Sequence, residues 1–150
     1  MDIGRLLKLL NEHRVHYVII GAAAFAVHGW TRTTRDIDIF IKATPENVRR
    51  TLQALAEFGY DISDVTIEEM LGKKILFRQY VVETDIHPFV TGVKFDSVWK
   101  QRVRDKIYNV PTNFASLNHL IRMKRAAGRP KDKEDLKYLL DIKKLLRKHK

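Results

Sequence analysis

The sequence predicts a mixed α/β (α+β) fold, in which helices flank a small mixed sheet and a helical segment follows at the C-terminus. Runs rich in β-branched residues alternate with stretches of helical periodicity, and residues from about 115 to 150 carry leucines and lysines at helical spacing. The 150 residues contain no repeat, low-complexity segment or linker. We therefore expect one domain over residues 1–150, with a basic helical part from about 115 to 150.

The first part of the chain is predicted to form three helices and two strands. The predicted elements are a helix over 2–13 capped by Asp2, a strand over 15–20, a short helix from 22 to about 28, a strand over 36–42, and a helix from Thr44-Pro45 to Gly59. Gly21 ends the first strand, and Gly29 stops the short helix.

The second part is predicted to form further strands and helices. The predicted elements are a short helix over 66–71, two strands over 74–80 and 81–89 as a meander, a helix from Asp96 through 103, a short strand over 106–110, and helices over about 115–127 and 132–148. The segment Gly128-Arg129-Pro130 separates the last two helices, and Leu136, Leu139, Leu140 and Leu145 are predicted to face the core.

Composition excludes several classes of site. The chain has no cysteine, so disulfide frameworks, thiol catalysis and cysteine-ligated metals are ruled out, which fits a reducing cytosol. The N-terminal apolar run is short and broken by Lys8, unlike a signal peptide or a membrane span. We expect a cytoplasmic protein without a membrane partner.

Positive charge is concentrated near the C-terminus. Residues 1–121 carry 16 Lys and Arg against 14 Asp and Glu, whereas residues 122–150 carry 12 against 4. A concentrated basic surface favours phosphate-rich partners such as nucleotides or RNA. A solvated helix kept soluble by its lysines is an equally good explanation of this charge alone.

Two aspartates interrupt an apolar strand. Asp36 and Asp38 are two residues apart, so their carboxylates share one face of the strand while isoleucines occupy the other. Carboxylates so close repel each other, and a divalent cation removes that penalty. Mg²⁺ commonly binds one or two carboxylates together with substrate phosphates. The pair therefore predicts a phosphoryl-transfer site.

A two-metal site usually requires a further carboxylate from a neighbouring strand. The segment Glu83-Thr-Asp85-Ile-His87 places three polar side chains on one face, and we choose Asp85 as the third ligand, with Glu83 as the weaker candidate. The acidic residues of 36–38 and 83–87 could instead lie on the solvent-exposed faces of half-buried strands.

A turn made of small residues supports the interpretation of these carboxylates as a phosphoryl-transfer site. Gly21 follows an apolar strand and opens a helix, an arrangement that offers backbone N–H groups to an anion. Close packing of the helix on the sheet would also explain the small residues. His28, at the end of the helix, is predicted to be a packing or capping residue, and Phe25 and Trp30 are predicted to pack.

These residues together resemble a known signature. Gly21-Ala22, His28-Gly29 and Arg32-x-Thr34-x-Asp36-Ile-Asp38 are similar to the active-site pattern of the DNA polymerase β nucleotidyltransferase superfamily. The motif most resembles the branch that includes toxins of type IV (abortive-infection) toxin–antitoxin systems. The segment from Met123 to Leu136, with its Gly-Arg-Pro-Lys-Asp sequence, is similar to a basic segment of that branch. The resemblance spans roughly residues 15–140.

The resemblance implies a function and assigns residues to it. It implies transfer of a nucleoside monophosphate from an NTP to an acceptor hydroxyl with two Mg²⁺ ions, for which Mn²⁺ could substitute. The implied metal ligands and catalytic residues are Asp36, Asp38 and Asp85, and the implied nucleotide-binding residues are Gly21, Ala22, Arg32, Thr34, Lys124 and Arg129. An RNA acceptor such as a tRNA 3′ end and an antitoxin protein are the implied partners.

One residue departs from the pattern, and alternatives stay open. Many members of the superfamily have serine after the glycine, whereas Ala22 has no hydroxyl to contact phosphate. The acceptor could also be a hydroxyl of a protein or a small molecule. A module that keeps the fold but only binds nucleic acid or a partner is the alternative of a different class.

Overall fold

The computed structural model describes residues 2–29, 36–79 and 82–148, and it shows a six-stranded mixed sheet flanked by helices. The helices are α1 (Ile3–Glu12), α2 (Ala22–Phe25, continued by a 3₁₀ turn over Ala26–His28), α3 (Pro45–Phe58), α4 (Ile67–Gly72), α5 (Phe95–Lys100), α6 (Leu117–Ala127) and α7 (Pro130–Lys148). The strands are β1 (Tyr17–Ile20), β2 (Asp36–Ile41), β3 (Ile75–Phe77), β4 (Glu83–His87), β5 (Val103–Ile107) and β6 (Val110–Phe114).

The strands lie in the order β3-β4-β2-β1-β6-β5. Strand β2 pairs antiparallel with β1 and parallel with β4, while β6 is parallel to β1 and antiparallel to β5. Strands β3 and β4 are antiparallel neighbours, as the predicted meander requires. The predicted fold class is confirmed, with β2 and β4 inside the sheet rather than at its edges.

The helix boundaries follow from the capping residues that the sequence contains. The Asp2 side chain accepts a hydrogen bond from the backbone N–H of Arg5, and the Thr44 side chain caps α3 in the same way. Gly59 ends α3 in the left-handed conformation, with a φ of 119°. These predicted caps are confirmed.

The core lies against the apolar face of the sheet. Ile37 and Ile39 of β2 have no exposed surface, and helices α1 and α3 pack against each other. On the other face of β2, Phe40 makes an edge-to-face contact with Phe95 of α5 at a ring-centroid distance of 5.2 Å. Helix α5 therefore covers the end of β2 at Phe40 and leaves the end with the aspartates to the site described below.

The region after α5 differs from its prediction. A helix through residue 103 was expected, but α5 ends at Lys100 and β5 begins at Val103. The segment 106–110, expected to be a single strand, instead contains the end of β5, the turn of a hairpin and the start of β6. The two central residues of the turn, Tyr108 and Asn109, have positive φ values of 50° and 63°, as hairpin turns of two residues require.

The C-terminal helices agree with the prediction except in detail. Helix α7 begins at Pro130, two residues earlier than expected, because proline is favoured in the first turn of a helix. Leu139 is buried as predicted, whereas Leu145 is 56% exposed, so its predicted core position is wrong. Among the described helices, α7 included, none combines the length and apolarity that crossing a membrane would demand.

Candidate active site

The register of the central strands brings the predicted acidic residues to one place. Asp38 of β2 lies opposite Asp85 of β4, and Asp36 lies opposite Glu83. Paired residues of neighbouring strands point to the same face of a sheet, with backbones about 4.8 Å apart. The four carboxylates therefore form two adjacent rows on one face, at the end of the sheet where β1 runs into Gly21.

His87 lies beside the inner row of carboxylates, which consists of Asp38 and Asp85. Its Nε2 lies 2.8 Å from Oδ1 of Asp38, and Asp38, Asp85 and His87 each bring a ligand atom to within 4.8 Å of the others. The sequence prediction recognised that His87 shares a face with Asp85 but gave it no role. Its signal was the same alternation that selected Asp85.

Arg78 is the residue that sequence reasoning missed. It follows β3, and its guanidinium donates a hydrogen bond of 2.5 Å to Oδ1 of Asp85 and lies 3.4 Å from Oε2 of Glu83. The hydrogen bond to Asp85 raises the pKa of Arg78 above its ordinary value. No motif marks Arg78, because only the pairing of β3 with β4 carries it to the site.

The outer row, which consists of Asp36 and Glu83, shows the repulsion expected between neighbouring carboxylates. The pKa of Glu83 is raised above its ordinary value, first by its hydrogen bond with the Asp36 carboxyl and then by desolvation, while the charge of Arg78 opposes the shift. A nearby positive charge relieves the repulsion between two neighbouring carboxylates. The outer row is therefore a place where added positive charge is favoured.

Gly21 is required beside Asp38 for two reasons. Its φ of 72° is unfavourable for residues with a side chain, and a Cβ on it would lie 2.6 Å from Oδ2 of Asp38. Ala22 is the first residue of α2, directly after this glycine. The glycine turn thus lets the end of β1 approach the carboxylate row closely.

Lys124 reaches the site but is already paired. Its Nζ lies 3.3 Å from Oδ1 of Asp132 and 3.1 Å from Oδ2 of Asp135, two buried carboxylates of α7. Arg129 donates to Asp132 through its side chain, with a shortest distance of 2.6 Å, and also through its backbone N–H. Hydrogen bonds from Arg129, followed by those from Lys124, lower the pKa of Asp132 to about 2, against the effect of burial.

A cavity of about 340 Å³ is lined by Asp38 and His87 as well as by this basic cluster, while Asp36, Glu83 and Asp85 are not among its lining residues. The residues at its polar end include Gly21, Asp38, His87, Lys124, Arg129 and Asp132. Its apolar wall is formed by Ile20, Phe89, Val90, Leu120, Met123 and Ala127. The cavity is therefore lined by carboxylates, cations and apolar side chains together, as a site for a charged ligand with a flat or apolar part would be.

Other predicted residues fall outside the cavity or outside the described part of the chain. The predictions for Arg32 and Thr34, and for Trp30, concern residues outside the described ranges. Nε2 of His28 lies 2.9 Å from the backbone oxygen of Ala115, which confirms the predicted packing role. Phe25 is fully buried, as predicted.

The donor set fits a divalent cation. Carboxylate oxygens are the ligands that Mg²⁺ and Mn²⁺ prefer, and the imidazole of His87 adds a nitrogen that suits transition metals. The absence of a side chain at Gly21 lets the Asp38 carboxylate lie directly against the backbone of the glycine turn. Asp38 and Asp85 could hold such an ion, with Asp36 in the neighbouring row.

Comparisons with known proteins identify the family of the chain. The model of a family described as nucleotidyltransferases of unknown function (DUF6036) matches residues 1–145. A search of curated proteins finds no match to the chain. The resemblance to nucleotidyltransferases that the sequence motif indicated is thus confirmed.

Two solved structures share the fold. One is the lincosamide antibiotic adenylyltransferase LnuA with lincomycin bound, with a TM-score of 0.61 and 18% identity over 95% of this chain and 98% of that one. The other is a candidate nucleotidyltransferase from Thermotoga maritima, with a TM-score of 0.61 and 17% identity over 91% of this chain and 89% of that one. At these identities the two structures establish the fold alone.

Proposed function

The chain belongs to the DUF6036 family of nucleotidyltransferases, and we propose that it transfers a nucleoside monophosphate from an NTP to an acceptor hydroxyl with the help of two divalent cations, Mg²⁺ or Mn²⁺. The observation that carries the proposal is the pairing of Asp38 with Asp85 on one face of the sheet, beside the glycine turn. A transferase of this kind needs carboxylates to bind metal and a neighbouring cavity for the triphosphate.

Each side chain has a proposed role in the site. Asp36, Asp38 and Asp85 hold the cations, which would neutralise charge on the triphosphate and lower the pKa of the attacking hydroxyl. Gly21 and Ala22 bring backbone N–H groups towards the phosphates, and Arg32 and Thr34 help to hold the turn or the phosphates. Lys124 and Arg129 line the same cavity as Asp38 and supply positive charge there.

The reaction itself follows from positioning and charge. The acceptor oxygen attacks the α-phosphorus in line, a new P–O bond forms, and the bond to the bridging oxygen breaks, so that pyrophosphate leaves. Asp85 accepts the proton of the acceptor hydroxyl, and Arg78 holds that carboxylate in place through its hydrogen bond of 2.5 Å. Arg129, with an exposed guanidinium, stabilises the negative charge that leaves with pyrophosphate.

For the acceptor we propose an RNA hydroxyl, such as the 3′ end of a tRNA. The basic C-terminal part supports this choice, because most of its cations are exposed, unlike Lys124, which is paired with Asp132 and Asp135. The exposed cations on α6 and α7 are Arg122, Arg125, Lys131, Lys133, Lys137, Lys144, Arg147 and Lys148, and Arg129 in the turn between the two helices is also exposed. Such a surface binds phosphate backbones with an affinity that falls as salt rises.

A small-molecule acceptor is the second candidate, and the cavity favours it. Its lining includes the apolar side chains of Phe89, Val90 and Met123, which suit the apolar part of a small acceptor beside the triphosphate. The similar fold of an adenylyltransferase solved with an antibiotic bound supports the same choice.

A role as the toxin of a toxin–antitoxin pair, active in the cytoplasm, rests on the sequence motif. Expression of the chain in bacteria would then arrest growth, and Asp38→Asn would restore it. Co-expression of the antitoxin partner would also restore growth. Normal growth with active wild-type enzyme present would exclude the toxin role while leaving the transfer reaction intact.

Transfer is tested with each of four α-labelled triphosphates, Mg²⁺ or Mn²⁺, and either total RNA or a small-molecule fraction. We expect label in one fraction with the wild type and none with Asp38→Asn. The matched control is Asp64→Asn, which changes an exposed aspartate outside the site and should keep full activity. Equal labelling by wild type and Asp38→Asn would refute the proposal.

A further inference from the structure

We propose that His87 is itself a metal ligand, so that the inner ion site consists of two carboxylates and an imidazole and prefers Mn²⁺ to Mg²⁺. The proposal rests on the proposed metal-dependent function and adds the identity of the third ligand to it. The resemblance to polymerase β-type enzymes assigned the ligands to aspartates only. His87 enters from its place in the structure.

The spacing of the donor atoms is that of neighbouring ligands. Two ligands at about 2.1 Å from an octahedral ion, at right angles to each other, are about 3 Å apart. Nε2 of His87 lies 2.8 Å from Oδ1 of Asp38, and Asp85 completes a set of donors within 4.8 Å. An ion can therefore meet all three side chains after small rotations of their bonds.

The strands hold these donors in place. His87 lies two residues after Asp85 on the same face of β4, opposite Phe40 of β2, and both strands are inside the sheet. Its side chain is 17% exposed, and it lines the same cavity as Asp38. The point on which the two side chains converge is thus open to the cavity rather than closed by core residues.

Asp38 and Asp85 each have a carboxylate oxygen that can bind the ion. Oδ2 of Asp38 faces Gly21, so Oδ1 is the oxygen that it shares with His87. Arg78 bonds to Oδ1 of Asp85, and Oδ2 is a second donor on that carboxylate. The ion site can therefore form while Arg78 keeps its hydrogen bond.

The chemistry of the third donor determines which metal is preferred. Mg²⁺ takes oxygen ligands almost exclusively, whereas imidazole nitrogen suits transition-metal ions. A site of three carboxylates would give Mn²⁺ little advantage. Replacing one carboxylate with an imidazole raises the affinity for Mn²⁺ relative to Mg²⁺.

Pulsed electron paramagnetic resonance of bound Mn²⁺ tests the proposal without turnover. The full chain is prepared with unlabelled histidine and with ¹⁵N-histidine, and Mn²⁺ alone is added below one equivalent. We expect nitrogen modulation of the electron spin echo that changes with the isotope. It should disappear in His87→Gln and persist in His13→Gln, a control for an exposed histidine paired with Glu57 outside the site.

Affinity gives an independent measurement. We expect the Kd for Mn²⁺ to rise at least tenfold in His87→Gln, because removing a side chain that supports a metal site typically weakens metal binding by at least that factor. The Kd for Mg²⁺, measured by competition, should change less than about threefold. Far-ultraviolet circular dichroism and urea unfolding verify that the variant is folded. Even if the variant does not fold, the absence of any isotope effect in the wild type would overturn the proposal.

The outcomes separate this proposal from the proposed function. Binding of Mn²⁺ that Asp38→Asn abolishes, but without histidine nitrogen coupling, would overturn the role of His87 and leave metal-dependent transfer standing. His87 would then only donate a hydrogen bond to Asp38. Nitrogen coupling in a protein that transfers no nucleotide would support the ligand and refute the function. Absence of any Mn²⁺ binding would overturn both.

Discussion

Removing the charge of Asp132 should destabilise the protein by an amount that depends on pH. Its side chain is 1% exposed and accepts hydrogen bonds from Lys124 and Arg129. These partners lower its pKa from the ordinary value of 3.8 to about 2. A difference of nearly two pKa units between the unfolded and folded states corresponds to about 2 kcal/mol of stability at neutral pH.

The sign of the pH dependence follows from the direction of the shift. Because the folded pKa is depressed, the stabilisation is fully present above the unfolded pKa of 3.8 and is lost as the pH falls towards 2. By this relation about half of it is gone at pH 3. Asp132→Asn keeps a side-chain oxygen but has no charge, so it lacks this pH-dependent contribution.

Urea unfolding of the wild type and of Asp132→Asn between pH 3 and pH 7 measures the effect. We expect the variant to be less stable by about 2 kcal/mol at pH 7, equivalent to a melting temperature lower by about 4–8 °C. The difference should shrink by about half at pH 3. Glu134→Gln, an exposed neighbour on α7, is the control and should change stability by less than about 0.5 kcal/mol. A difference that does not vary between pH 5 and pH 3 would refute the reasoning.

Three further substitutions test the local geometry. Gly21→Ala should cost about 1–2 kcal/mol through its positive φ and should also abolish nucleotide transfer, because the new Cβ would lie against Asp38. Gly29→Ala is its control, since its φ is also positive but no atom lies within 4 Å of the added Cβ, and it should lower stability while transfer persists. Asn109→Gly in the hairpin turn should raise the free energy of unfolding by up to about 1 kcal/mol, and an unchanged urea midpoint would contradict the assigned turn. Tyr60→Phe removes one hydrogen bond to Val82, just before β4, and one to Thr84 within it, and should destabilise the protein by about 1–3 kcal/mol in the same assay, whereas no loss would show that they carry no net stability.

Local signals in the sequence were sufficient to predict most of the helices and strands. Asp2, Thr44 and Gly59 each specify a helix end through a hydrogen bond or a backbone conformation that depends only on nearby residues. The hairpin between β5 and β6 was missed because its turn, Tyr108-Asn109, has no glycine. Positive φ values at tyrosine are rare, so the usual turn signal was absent.

The candidate site was only partly within reach of the sequence. Alternation along one strand places Asp36 with Asp38, and Asp85 with His87, on common faces. The pairing of β2 with β4 is a long-range event that alternation does not specify. Arg78 and the ion pairs of Lys124 depend on such events, so no local pattern could have found them.

The register of β4 against β2 is what brings these residues together in one candidate site. A shift by one residue would turn Asp85 to the opposite face, and a shift by two would bring Glu83 or His87 opposite Asp38 instead. Thr84, between the two acidic residues of β4, points to the other face and is fully buried, where its hydroxyl lies 2.9 Å from that of Tyr60. The same tyrosine hydroxyl donates to the backbone oxygen of Val82. Tyr60, two residues after the end of α3, therefore holds β4 from the buried face, opposite the face that carries the carboxylates.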